Sequence, residues 1–515
     1  MDLRRFRIFL LMTMLGPVSV LLSCVSTTED EGYPDTNDVE VAVSFAPNIG
    51  ATKDTRATLP DTKGELTTER LKETTGFGVF TYYSEDKEYP LKGDNTDKPF
   101  NFMFNQQVNW DTDHWTYSPL KYWPNDNQPA DNKGATGSVD HSYLSFFAYA
   151  PYTPYRETTT ETNTTDAAAD SDDGIVKITS NDTETGQSYL TYRMSAERPF
   201  EVDNNVDLLW AMRPNLWKTM DEKEQNEDGS ETVTHPGYVN GQVKFNFKHA
   251  LAKFTICVQG LFDRTSTADQ SKDYPDDVDP NTRILVESVD FSGSPLMTQG
   301  NMYLVPHTST STSDDDSNGK TLNAYPYWEL RKLDGEDAKP TPLLIKDFDI
   351  NGDIRDAYYD PSEKHYDRDY FHKGATADAD STEAMFKELP KGVTHKEVSL
   401  FNDEDHYCLV IPNKDYIEGN SDEAMTVRIV YHVITYDPNL KFNSTPYCSI
   451  VRNAITATFS DDFVFEPNKK YKLRLLLGLT TVKFELLMAD GWETPLLKDP
   501  VVIDWYIERK EFNVE

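Results

Sequence analysis

Several groups of residues have the types that chemistry needs, and their spacing can be tested against each chemistry in turn. Asp347, Asp349, Asn351, Gly352 and Asp353 have the oxygen spacing and the glycine of a calcium loop. Tyr358 stands where a bidentate glutamate has to close the shell, and no helical pattern flanks the loop, so an acidic turn is the better reading. Gly319-Lys320-Thr321 has the end of a phosphate loop, but Asp314 occupies the position of the required earlier glycine. His365, Asp367, Asp369 and His372 are metal-ligating types gathered in one acidic loop, and no metal is expected there. Neither His-Glu-x-x-His nor Gly-x-Ser-x-Gly occurs. With 87 Asp and Glu, no single carboxylate pair stands out as a glycosidase site. Trp110, Trp115, Trp123, Trp210 and Trp217 have rings that can stack on sugars, although Trp123 and Trp210 are expected in the core or at an interface. Cys257 and Cys408 lie in apolar strand patterns and are expected to be inert small hydrophobes. Cys448 has no Cys-x-x-Cys partner. His249 is expected to be a hydrogen-bonded structural histidine. No catalytic residue, cofactor or metal site is expected, and the chain is not read as an enzyme.

Whatever the chain does must therefore rest on its elements. At 515 residues it has room for two to four domains, and 12% aromatic residues are enough to build real cores. Fifty Lys and Arg against 87 acids leave a net charge of −37, a field that repels phosphate and excludes nucleic acid as the default partner. Residues 1–23 read as a signal peptide. Arg4, Arg5 and Arg7 precede an apolar run over 8–22, shorter than the ~20 residues that span a bilayer. The run ends in Leu21-Leu22-Ser23-Cys24, which matches a lipobox, so the Cys24 thiol is the expected acceptor of a diacylglycerol anchor. Glu29-Asp30-Glu31 follows and resembles the surface-export signal of Bacteroidetes lipoproteins, which points to the outer membrane surface.

Period-two alternation dominates the rest and argues for an all-β fold. Val39, Val41, Val43 and Phe45 alternate with polar partners, as do Val243, Phe245 and Phe247. Beyond Lys248 the apolar set moves to Ala250, Ala252, Phe254, Ile256 and Val258, a phase change that predicts a bulge. Further strands are expected at 77–83, 143–150, 284–291, 406–411, 425–436, 454–459 and 471–479, with one short helix at 382–389. Polar stretches at 156–174, 219–234 and 308–320 read as loops. The acidic stretch before residue 237 is the expected domain boundary. The resulting division is a tether and first strand at 24–56, one domain at 57–240 and a second at 241–515.

Several segments together resemble the Bacteroidetes fimbrillin family, the subunits of type V pili: 39–49 (VEVAVSFAPNI), 55–58 (TRAT), 76–82 (GFGVFTY), 121–124 (KYWP), 143–152 (YLSFFAYAPY), 206–211 (VDLLWA), 243–258 (VKFNFKHALAKFTICV) and 468–477 (NKKYKLRLLL). Residues 300–400 depart from the pattern. The resemblance implies two tandem transthyretin-like β-sandwich domains with long polar loop insertions. It implies a fimbrial location, with other pilus subunits and a host or bacterial surface receptor as partners. It also implies cleavage by a trypsin-like protease between Arg56 and Ala57, which frees the strand holding Val39, Val41, Val43 and Phe45. A donor strand from another subunit then fills the vacated groove. The alternating Val501, Ile503, Trp505 and Ile507, within the terminal segment 500–515, are the candidate donor. Val39, Val41, Val43, Phe45 and Ile49, at ~1.5–3 kcal/mol each, bring at most roughly 8–15 kcal/mol, comparable with the net stability of a domain. The alternative reading is a glycan-binding surface lipoprotein of a polysaccharide-utilisation system, which would need no cleavage and would bind oligosaccharide through exposed Trp or Tyr.

Overall fold

The computed structural model describes residues 40–49, 63–85, 99–125, 142–155, 173–179, 188–218, 241–260, 281–293, 296–305, 326–329, 341–345, 407–412, 424–442, 445–459, 463–478, 482–492 and 506–509, with short pieces between them. Seven strands form the first sheet: β1 (Ser44–Ile49), β2 (Phe77–Glu85), β3 (Met103–Asp111), β4 (His114–Thr116), β5 (Ser142–Ala150), β6 (Leu209–Leu216) and β7 (Gln242–His249). Their order is β1-β7-β6-β5-β2-β3-β4. Each pairing is antiparallel except the first, in which β1 runs parallel to β7 with Phe45 beside Val243 and Ile49 beside Phe247. The two ends of the sheet also meet, because Ala42 bridges to Tyr122 just beyond β4.

This sheet is covered on both faces, which explains why β5 reads as an almost continuous apolar run. Leu144, Phe146 and Ala148 face one core together with Phe45, Phe77, Val243 and Phe245. Phe147 and Tyr149 face another, with Phe80, Trp210, Leu190 and Tyr192. The second core lies against a five-stranded sheet that includes Gly174–Ile178, Tyr189–Arg193, Gln299–Tyr303 and Tyr327–Glu329. The first core is closed at one side by a short helix, α1 (Thr68–Glu73), whose Leu71 is fully buried. Thr67 caps that helix by accepting from the Arg70 N–H at 3.1 Å.

The remaining chain builds a sandwich from β8 (Ala252–Gly260), β9 (Thr282–Ser292), β10 (Thr426–Phe442), β11 (Thr445–Thr458), β12 (Lys469–Leu477), β13 (Val482–Asp490) and β14 (Tyr506–Arg509). One sheet carries β8, β12 and β13, and the other carries β9, β10, β11 and β14. Their inner side chains share a core, with the rings of Phe254 and Phe291 5.4 Å apart across it. The chain is all-β, built of stacked sheets.

Three expectations are corrected. The phase change after Lys248 is not a bulge: β7 ends at His249 and β8 begins at Ala252, in a different sheet. Alternation shifts there because the residues that must be buried now face another core. The division at 240/241 does not follow the sheets either, since β7 and Gln299–Tyr303 pair with strands from before residue 240, and Tyr327–Glu329 extends the same sheet by pairing with Gln299–Tyr303. Finally, the polar stretches are not all loops. Thr158–Thr160 pairs with Asn163–Thr165, and Glu222–Gln225 pairs with Glu231–His235. A hairpin of β-branched, polar residues needs backbone pairing but no core, and composition alone hides it. Part of the expected helix at 382–389 is helical, and Phe386 and Leu389 there are buried.

Candidate functional site

The site is the groove that holds the first strand. Alternation along β1 directs Phe45, Pro47 and Ile49 inward, and Val43 continues the parity upstream. Val43, Phe45 and Ile49 are each under 5% exposed. Phe45 is the anchor. Its ring stacks on Phe245 at 5.7 Å, meets Phe77 and Phe146 edge-on at 6.2 and 6.0 Å, and lies 5.4 Å from Tyr117. Aromatic pairs in these geometries add to simple burial.

The strand is bonded on opposite sides in its two halves. Residues 44–49 lie on β7, while residues 41–43 lie on residues 121–123. There the Val43 N–H donates to the Lys121 carbonyl and the Trp123 N–H donates to the Val41 carbonyl, both at 2.9 Å. The Tyr117 hydroxyl donates to the Val43 carbonyl at 2.8 Å and accepts from the Lys121 N–H at 3.2 Å. Burial raises the Tyr117 pKa, and the backbone bond to Lys121 partly offsets this, so the hydroxyl keeps its proton. The Gly241 carbonyl accepts both the Ser44 N–H at 2.7 Å and the Trp123 indole N–H at 3.2 Å. At the far end, the Ile49 N–H donates to the Thr68 hydroxyl at 3.0 Å.

Downstream, the chain is fastened again at residues 63–66. The Lys63 ammonium pairs with Asp173 at 2.6 Å. Glu65 accepts from the Tyr407 hydroxyl and from the Lys253 ammonium, the latter at 3.2 Å. Burial pushes the Glu65 carboxyl up, but Lys253 and Tyr407 outweigh it and hold the pKa below its ordinary value. The Leu66 N–H donates to Asp207, which also lies 3.0 Å from His249 Nδ1. His249 stacks on Trp492 at 3.6 Å, so it sits in a buried structural network as expected.

Of the residues singled out in the sequence, Val41, Val43 and Phe45 come together in the groove. Cys24, Val39, Arg56, Ala57, Val501, Ile503 and Trp505 lie outside the described residues. Ile507 lies in β14, which pairs antiparallel with β11 at the edge of another sheet, opposite Ala457. Trp123 and Trp210 are buried, as are Cys257, Cys408 and Cys448. Tyr117, Gly241, Pro47 and Thr68 were not anticipated. Pro47 could have been found, since it lies on the parity that joins Phe45 to Ile49.

These features define an all-β protein of stacked sheets, with a parallel first strand closing one sheet over an aromatic core. No family model matches the chain. Over 139 residues it is 30% identical to the fimbrium subunit Fim1C of Phocaeicola vulgatus, a match covering 27% of this chain and 30% of that protein. The chain therefore spans under a third of that relative's length. Among solved structures it is similar to a fimbrial protein from Bacteroides vulgatus, with a TM-score of 0.42 and 15% identity, covering 88% of this chain and 99% of the other. It is also similar to the tip fimbrial protein Mfa3 from Porphyromonas gingivalis, with a TM-score of 0.24 and 10% identity, covering 80% and 99%. The resemblance to fimbrial subunits that the motifs carry is thus found again by direct comparison of sequence.

Proposed function

We propose that the chain is a structural subunit of a fimbrium, exported as a lipid-anchored surface protein and assembled by replacement of its first strand. The observation that carries this reading is the groove. Val43, Phe45, Pro47 and Ile49 fill an aromatic core, yet, among the described residues, 44–49 share a ladder with one neighbour, β7. At ~1.5–3 kcal/mol per buried side chain, removing the strand leaves a deficit of roughly 6–12 kcal/mol and an unpaired edge on β7. Only another extended segment supplies both apolar side chains and backbone partners. Cleavage between Arg56 and Ala57 frees the strand, and Val501, Ile503, Trp505 and Ile507 of a second subunit take its place.

Export by lipidation rests on Cys24. Cys24→Ala should abolish palmitate labelling and membrane retention, and continued labelling would refute the assignment. The assembly step is tested by treating the full chain with trypsin and running it unboiled on a gel. The expected result is a ladder, with Ala57 as the new N-terminus. Cleaved protein that stays monomeric, together with binding of a neutral oligosaccharide, would favour the glycan-binding alternative. Against that alternative, Trp123, Trp210, Trp328 and Trp492 are buried, and Trp115 packs on Phe77 at 5.2 Å.

A further inference from the structure

We propose that residues 117–123 act as a clasp that gates release of the first strand, so that the strand opens from its residue-41 end and not from Ile49. This deepens the assembly reading above and names what controls the rate of that step. The first strand is not held evenly. Among the described residues, its leading residues 41–43 are bonded to the clasp, through Val43 N–H to Lys121, Trp123 N–H to Val41 and the Tyr117 hydroxyl to Val43. Three elements then converge on one carbonyl: the clasp through the Trp123 indole, the strand through Ser44, and the start of β7 through Gly241 itself. Gly241 has φ +67, and a Cβ there would lie 2.8 Å from the Ala42 carbonyl oxygen, so the closure depends on a residue without a side chain.

The inner face of the clasp is buried, with Tyr117 at 6% and Trp123 at 4% exposure, whereas Leu120 and Tyr122 are 53% and 48% exposed. The clasp is thus one layer thick between the core and water. Swinging it outward uncovers Val43 and one side of Phe45 without moving β7, β6 or β5. The Ile49 end offers no such route: Ile49 is 4% exposed, beside Phe247 and bonded to Thr68 on α1, whose Leu71 is itself core. An incoming strand therefore meets an opening first at the Val41–Val43 pockets, which the clasp controls.

The test uses the uncut full chain and hydrogen exchange, so it does not depend on polymerisation. Tyr117→Phe keeps the ring and removes the hydroxyl bond; one hydrogen bond of ordinary worth predicts up to about tenfold faster exchange at the amides of residues 43–46, 48 and 49. Exchange across β2 should not change. Thr68→Val, which loosens the other end, should leave residues 43–45 unaffected. In a second variant, Ala42→Cys with Tyr122→Cys, the pair lies directly opposite across an antiparallel bridge, a spacing that suits a disulfide. Oxidation should slow exchange along the whole of 44–49 at least tenfold, and reduction should reverse it. Equal exchange at 44–49 in the oxidised and reduced forms, or faster exchange in Thr68→Val than in Tyr117→Phe, would overturn the clasp. A wild-type chain that forms no ladder after trypsin would instead refute the assembly reading and leave the clasp result standing.

Discussion

At the scale of single residues, Phe45 touches Phe77, Tyr117, Phe146 and Phe245, and each contact tightens the same core. Phe45→Ala removes the central ring from a site whose walls belong to four separate segments, so collapse to fill the cavity is difficult. The expected loss is ~3–5 kcal/mol, read as a lowered urea midpoint of the uncleaved chain. A different residue is expected to contribute to acid stability. Glu287 sits at the bulge of β9 between Val286 and Ser288, where its carboxylate takes His432 at 2.7 Å and Arg452 at 2.9 and 3.0 Å. Burial alone would raise its pKa, but the bonds from His432 and Arg452 prevail and lower it from 4.5 to about 2. A folded pKa below the unfolded value stabilises above the unfolded pKa and loses that contribution as pH falls through the folded one. The window therefore runs from about pH 4.5 down to 2, and the loss is on the order of 3 kcal/mol. Melting temperatures between pH 6 and pH 2 should fall more steeply for the wild type than for Glu287→Gln, which is weaker at pH 6 but flatter below. Parallel curves would show that Glu287 does not carry the acid response.

At the scale of elements, the two strands that the assembly proposal exchanges, β1 and β14, sit in different sheets. β1 is held by a parallel ladder to β7 and by the clasp, while β14 is a four-residue strand at the edge of β11. Such a short ladder at a sheet edge is a weak hold compared with a buried strand. Deleting residues 500–515 should therefore leave the monomer folded, with a melting temperature within a few degrees of the parent, and unable to form ladders. If the truncated chain instead unfolds or aggregates, the segment is an ordinary strand of its own sandwich. Trp505→Ala asks the same question more gently: a donor strand loses polymer stability, whereas a core strand loses ~3–5 kcal/mol of monomer stability.

At the scale of the whole molecule, the charge of −37 acts on association more than on the fold. Two such subunits repel over a Debye length of ~30 Å at 10 mM salt and only ~8 Å at 150 mM. If one subunit docks into another, raising sodium chloride over that range should speed ladder formation after cleavage. A rate that is flat or falls with salt would mean that docking is steered by local opposite charges.

The alternation of Val43 and Phe45, the strands around 77, 143, 284 and 425, the burial of Trp123 and Trp210, and the inert thiols were all legible in the amino-acid sequence. The period of apolar residues states which side of a strand must leave water, and it states so locally. It cannot state which strand lies alongside, because every extended backbone offers the same N–H and carbonyl groups to any neighbour. Only the tertiary structure decided that β1 lies parallel to a strand almost 200 residues away, that the phase change after Lys248 is a step from one sheet to the next, and that Tyr117, Trp123 and Gly241 close the first sheet over Phe45. Those choices follow from long-range fit between side chains, and α1 escaped the pattern for the related reason that it buries a single side chain, Leu71. The cores were therefore written in the sequence, and the groove arose from how their edges were matched.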